Sequence, residues 1–195
     1  MLFRSQRGVV NYDHIALVGI GSENCVNIKV DTKARVDIEA LTAALQNCVD
    51  KKRAVYAVVA VIGTTEEGAV DPLDQILALK PKFASQGLSF IVHADAAWGG
   101  YFASMIRDPP PSRARSGRDF VPSIPLRCST KKQFEALAHV DSITIDPHKS
   151  GYIPYPAGGL CYRDERMRFL VTWSAPYISH SDEPESIGIY GIEGR

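Results

Sequence analysis

Lys149 stands where few structural lysines do. The run Asp141-Ser-Ile-Thr-Ile-Asp-Pro-His-Lys149 is apolar and β-branched as far as Ile145. Thr144 and its flanking isoleucines favour a strand. Pro147 has no N–H to give to a sheet ladder, so the strand stops there, and Gly151 loosens the backbone beyond. The lysine is therefore expected at the lip of a sheet. Lysine is seldom buried without a partner; desolvation eases loss of its proton and lets the amine attack a carbonyl as a Schiff-base nucleophile. A second run, Ile91-Val-His-Ala-Asp95, ends in an acid and is followed by Ala96, Ala97, Gly99 and Gly100. A carboxylate at a strand end, beside small residues, leaves room for a flat ligand.

A Schiff-base lysine together with a carboxylate for a pyridinium nitrogen is the pairing that pyridoxal 5'-phosphate needs. Each half alone is weak evidence. His148-Lys149 after a strand also fits a solvated loop, and His93-x-Asp95 also fits a metal pair or a capped turn. Together, and in this order, they make the chain resemble the group II pyridoxal-phosphate-dependent amino acid decarboxylases, and within them the L-tyrosine decarboxylases most. The residues that carry the resemblance are Gly63-Thr-Thr-Glu-Glu-Gly-Ala-Val-Asp71, His93-Ala-Asp-Ala-Ala-Trp-Gly-Gly100, the stretch 142–155, Pro156-Ala-Gly-Gly-Leu160 and Gly188-Ile-Tyr-Gly-Ile-Glu-Gly194. They span most of the chain from Gly19 onward.

The resemblance implies a fold and a set of roles. The fold is α/β, with the mostly parallel sheet of the aspartate-aminotransferase-like (fold type I) large domain. It is incomplete here, since the family's phosphate-binding and ring-stacking segment and its small C-terminal domain are absent from this chain. Lys149 is implied as the internal aldimine lysine. Asp95 is implied as the partner of the ring nitrogen that stabilises the quinonoid, and Ala97 as the residue against one ring face. His148 and Asp146 fall near the phosphate, where many relatives carry Asn at the position of Asp146. Thr65 matches a threonine near the cofactor and the substrate carboxylate. Tyr155 is placed to touch the substrate ring, and Tyr177 to donate a proton from a mobile loop. His93 points to the same sheet face as Asp95, either lining the site or filling core. The implied reaction is decarboxylation of an L-amino acid to its amine, tyrosine or another aromatic favoured and glutamate possible, in a cytoplasmic homodimer. Transamination on the same fold, or a fragment without catalysis, are the competing readings.

Composition agrees with one globular domain. The chain has 195 residues, 22 basic and 22 acidic, long enough to bury roughly 70% of its unfolded surface. Zero net charge leaves no basic footprint for nucleic acid. The longest apolar run, residues 54–62, is too short to span a membrane. The N-terminal residues lack a continuous apolar segment of the secretory kind. Cys25, Cys48, Cys128 and Cys161 form no C-x-x-C pair and read as reduced thiols.

The elements that must position Lys149 and Asp95 follow from periodicity. Residues 1–14 are short and mixed and read as a frayed start. An apolar run covers 15–20, and a short strand is expected within 24–30. Asp37 caps a helix over 38–49 with Ile38, Leu41, Leu45 and Cys48 on one face. The continuous β-branched run 54–62 suits a strand buried on both faces of a parallel sheet. Asp71-Pro72 reads as N-cap and first turn of a helix that Pro81 should kink or shorten and Gly87 should stop. The next strand covers 88–92. A short helix over 131–139 leads into the Lys149 strand, residues 158–163 return along the same sheet, and Asp164 caps a short helix over 165–170. Residues 105–130 hold Pro109, Pro110, Pro111, Pro122 and Pro125 among five arginines and read as a surface excursion.

Overall fold

Strands and helices alternate along the chain, as a parallel α/β sheet requires. The computed structural model describes residues 1–5, 21–106, 126–167, 172–173 and 189–190. Strands β1 (Leu2–Ser5), β2 (Cys25–Ile28), β3 (Ala57–Val61), β4 (Ile91–Asp95), β5 (Ser142–Ile145) and β6 (Gly159–Tyr162) form one sheet in the order β2-β1-β3-β4-β5-β6. All neighbours pair in parallel except β5 and β6, which are antiparallel. β7 (Thr172–Trp173) and β8 (Ile189–Tyr190) make a separate antiparallel pair.

Three helices cover one face of this sheet: α1 (Ile38–Asp50), α2 (Leu73–Ala84) and α3 (Cys128–Ala136). Leu41 and Leu45 of α1 and Leu73, Ile76 and Phe83 of α2 are fully buried. They join Phe3, Val58, Ala60, Val92 and Ala94 of the strands in one core. Each such leucine stabilises the fold by roughly 2 kcal/mol through area removed from water. The apolar face expected for α1 is the face observed, and Asp37 accepts from the N–H groups of Glu39 and Ala40. Gly87 ends α2 as expected. At φ 83 it lets Gly87 N donate to Ala84 O and Leu88 N to Phe83 O, the paired bonds of a Schellman stop.

Four local expectations need correction. Residues 1–5 do not fray: Leu2–Ser5 is a strand paired on both sides, to β2 and to β3, and Phe3 is buried. Two apolar residues are too few to show a period; the strand forms because the sheet supplies both neighbours. The strand expected to begin at Leu88 begins at Ile91, and it ends at Asp95, the acid expected at its end. Pro81 does not shorten α2, which continues to Ala84 and keeps Phe83 in the core. Asp71 does not cap α2, which starts at Leu73 without a side-chain cap. Its carboxylate instead accepts from Val36 N and Val61 N, each at 2.7 Å, tying the turn before α1 to the end of β3.

At the other margins, α3 begins at Cys128 inside the proline- and arginine-rich range, and a 3-10 turn at Glu165–Met167 stands where a short helix is expected. The apolar run at 15–20 and residues 107–125 lie outside the described residues. All four cysteines are thiols. Among the described residues no helix is long and apolar enough to cross a membrane.

The buried Asp71 has a pH signature. Burial pushes its carboxyl up to about 6 from 3.8, against the two N–H donors that favour the ionised form. Between those values the folded chain holds a proton that the unfolded chain has lost. This group's stabilisation is therefore greatest at acid pH and falls as pH rises through the window from 4 to 6. Wild type should gain roughly 2 kcal/mol from this group between pH 7 and pH 4.5. Asp71→Asn should lose that slope and, by setting an NH2 against a backbone N–H, be less stable at pH 7 by about 1–3 kcal/mol. Urea unfolding at both pH values checks it; an unchanged slope in the variant would remove the assignment.

Candidate functional site

The carboxyl ends of β3, β4 and β5 lie side by side. Asp95, the last residue of β4, is in register with Val61 of β3 and Thr144 of β5. The loops leaving these ends are stitched by backbone bonds. Ile62 N donates to Asp95 O, Ala96 N to Thr144 O, Asp146 N to Ala97 O and Gly99 N to Ile62 O. A crevice outside the carboxyl ends of the strands is where open α/β sheets bind ligands.

A cleft of about 490 Å³ occupies this place. The loop after β3 gives it Gly63, Thr64, Thr65, Glu66 and Glu67; β4 and its loop give Asp95, Ala97 and Trp98; the turn after β5 gives Lys149. Four of the expected site residues, Lys149, Asp95, Ala97 and Thr65, thus share one wall system although they span residues 65 to 149 of the chain. Among the described residues, the Asp95 carboxylate receives a single long bond, from Ala97 N at 3.3 Å.

Lys149 is set by a turn. Lys149 N donates to Asp146 O, Tyr152 N to Lys149 O, and Ser150 Oγ donates to Trp98 O at 2.6 Å. The expected desolvation of Lys149 is not found: its side chain is 39% exposed, and its Nζ lies 3.0 Å from Asp146 Oδ2. Asp146, expected near a phosphate, is here the partner of the lysine amine. The small residues after Asp95 also do different work from that expected. Ala96 is fully buried. A Cβ on Gly99 would lie 2.1 Å from Ile62 O, and one on Gly100 would lie 2.9 Å from Ile145 Cγ1. Their smallness lets strand-end backbones close up beneath the cleft, and Ala97 alone of the four lines it.

Among the described residues, the other expected site residues are not part of the cleft wall. His93 is tied to β5 by both ring nitrogens, Nδ1 to Ser142 Oγ at 2.8 Å and Nε2 to Thr144 Oγ1 at 3.0 Å. Burial holds its imidazole below the ordinary value, with Asp95 opposing. The ring of His148 grips the backbone of Ala157, with Nδ1 2.6 Å from Ala157 O. Tyr155 is 64% exposed. Tyr177 lies outside the described residues. Trp98, Thr64 and the two glutamates belong to the cleft but were not singled out by spacing. Their signal was motif membership, since all four lie within the stretches 63–71 and 93–100 that carry the family resemblance.

The mostly parallel sheet is of fold type I, with an acid and an amine at its strand ends. The pyridoxal-dependent decarboxylase conserved domain matches residues 4–191, and the chain belongs to that family. It is 36% identical over 189 residues to an L-tyrosine decarboxylase of Enterococcus faecium and 34% identical over 197 residues to one of Levilactobacillus brevis, with 91% of this chain matched in both. It spans 31% and 30% of those proteins' lengths. An aspartate 1-decarboxylase of Aliivibrio fischeri is 29% identical over 99% of the chain and 30% of its own length. Among solved structures, the Oryza sativa TDC with PLP and tryptamine superposes with a TM-score of 0.66 at 21% identity, over 92% of this chain and 32% of that one.

Proposed function

We propose that the protein decarboxylates an L-amino acid, tyrosine favoured, with pyridoxal 5'-phosphate held in the cleft of Lys149 and Asp95. The observation that supports it most is that this amine and this carboxylate, on separate strand ends, line one cleft floored by close-packed backbone. The residues fit the aldehyde and the ring of this group. Lys149 offers the amine for its carbonyl carbon, Asp95 an acceptor for its ring N–H, and Ala97 a small wall against its flat face. When bound, pyridoxal phosphate supplies an electron-poor ring that takes up the electron pair left by carbon dioxide. Asp95 would hold a proton at the ring nitrogen, and Thr65 would orient the substrate carboxylate. Asp146 would keep the Lys149 side chain over the cleft when it is not engaged. A proton donor to the substrate carbon is still needed, and the resemblance gives that role to Tyr177.

Borohydride treatment of the loaded protein should fix the cofactor to Lys149, read by peptide mapping; label on another lysine with Lys149 unmodified would sink the assignment. Asp95→Asn should still take the label but lose at least about a hundredfold in kcat, the scale of a removed electrostatic stabiliser, with KM changed less. A wild-type kcat would refute its role. Tyr177→Phe should give less amine and more carbonyl product, because a longer-lived carbanion picks up its proton elsewhere or meets oxygen. An unchanged amine yield would assign the proton to another donor.

A further inference from the structure

The amine and the acid of the cleft come from different strand ends. Asp95 ends β4, and Lys149 lies in the turn after β5. Their spacing is set by whatever joins that turn to the loop after β4. The turn is tied mostly to itself: Lys149 N donates to Asp146 O, Tyr152 N to Lys149 O and Ile153 N to Pro147 O. His148 is engaged elsewhere, gripping Ala157. Tyr152 sits at φ 57, a left-handed conformation that a bulky residue adopts only where its surroundings impose it. The turn therefore needs outside ties to keep its shape. Two hydrogen bonds reach it from the loop after β4. At its entry, before Pro147, Asp146 N donates to Ala97 O at 3.2 Å. Beyond the lysine, Ser150 Oγ donates to Trp98 O at 2.6 Å, joining positions 52 residues apart. Among the described residues this is the one hydrogen bond from residues 147–152 to the loop that leaves Asp95. Packing fixes the side of the turn as well: a Cβ on Gly151 would lie 2.6 Å from Pro147 O and 2.8 Å from Tyr101 Cζ. The Ser150 bond is open to solvent, so water can replace its energy in a variant. Water cannot replace the tether.

Resting on the pyridoxal-phosphate reading above, we infer that Ser150 is a positioning residue. Its hydroxyl fixes the Lys149 turn to the Asp95 loop, so that the amine meets the carbonyl carbon of a ring held by Asp95. Deprotonated Lys149 adds to that carbon; its two N–H protons leave with the carbonyl oxygen as water, and a C=N bond remains. The step depends on the distance and angle of approach, and a misplacement of about 1 Å lowers such a rate by about a hundredfold.

The test compares wild type with Ser150→Ala, Ser150→Thr and Ser150→Val. Threonine keeps the hydroxyl, and valine has nearly the shape of threonine without it. Stopped-flow absorbance reads the rate at which the protein forms a Schiff base with pyridoxal 5'-phosphate. Calorimetry reads binding of pyridoxine 5'-phosphate, whose alcohol in place of the aldehyde leaves Lys149 nothing to attack. Thermal melting reads the fold. Ala and Val should slow Schiff-base formation about tenfold, and Thr should stay within about threefold of wild type. All three should bind pyridoxine 5'-phosphate as wild type does and melt close to its temperature. Ala and Val rates at the wild-type value would overturn the inference. So would Thr and Val slowed alike, because packing and not the hydroxyl would then set the turn. A matching loss of pyridoxine 5'-phosphate binding would overturn it too, since Ser150 would then act on the cleft as a whole. These three outcomes leave the cofactor reading intact. A wild type that forms no Schiff base would overturn that reading, and this inference with it.

Discussion

The register of β3, β4 and β5 is the constraint on which the site depends. Val61, Asp95 and Thr144 lie abreast, so three chains leave the sheet at one level and their loops meet. A slip of one residue in β4 would turn Asp95 toward the helices and Ala94 toward the cleft, because strand side chains alternate. The buried face prevents this. Val92 and Ala94 are fully enclosed, and exchanging them for His93 and Asp95 would put a charge in the core without a partner, at a cost of several kcal/mol. Hydrophobic burial on one face therefore aims the acid on the other.

Two contacts convert that register into a rigid floor. Asp71 joins Val61 N at the end of β3 to Val36 N before α1, anchoring the strand end from the helix side. From the loop side, Gly99 N reaches Ile62 O at a separation that no side chain at residue 99 would permit. Gly63, at φ 93 with Gly99 Cα 3.1 Å from its would-be Cβ, completes the approach. The cleft is shaped as much by backbone brought close as by the side chains that line it, and a ligand there meets a surface with little freedom to yield.

How much of this could be read from the residues varied with length of pattern. The buried strands β3 and β4 and the helices α1 and α2 carry continuous or periodic apolar runs, and so did the two strand ends that bear Asp95 and Lys149. The β1 strand has only Leu2 and Phe3 to show, and its existence depends on neighbours distant in sequence. Asp71 illustrates a different limit. Asp-Pro before an apolar run has the local grammar of a helix start, but a carboxylate can serve backbone donors far away in sequence equally well, and here they lie 35 and 10 residues off. The ion pair of Lys149 with Asp146, three residues apart, was within reach of sequence reasoning, yet the family resemblance set Asp146 near a phosphate instead.

His93 and Asp95 share a strand, a face and a neighbour strand, and differ in what they have left to offer. Both ring nitrogens of His93 are engaged by Ser142 and Thr144. A neutral imidazole has one donor and one acceptor, so nothing remains for a ligand. Its work is to lock β4 against β5 one step below the cleft. Asp95 sits a step further out, where β4 ends and the ladder no longer claims the space above it. An ionised carboxylate can accept about four hydrogen bonds, and Asp95 receives a single long one from Ala97 N among the described residues. The polar residue inside the sheet is therefore consumed by the fold, and the one at its edge is available. The same division separates His148, whose ring grips Ala157, from Lys149, whose side chain reaches the cleft beside it.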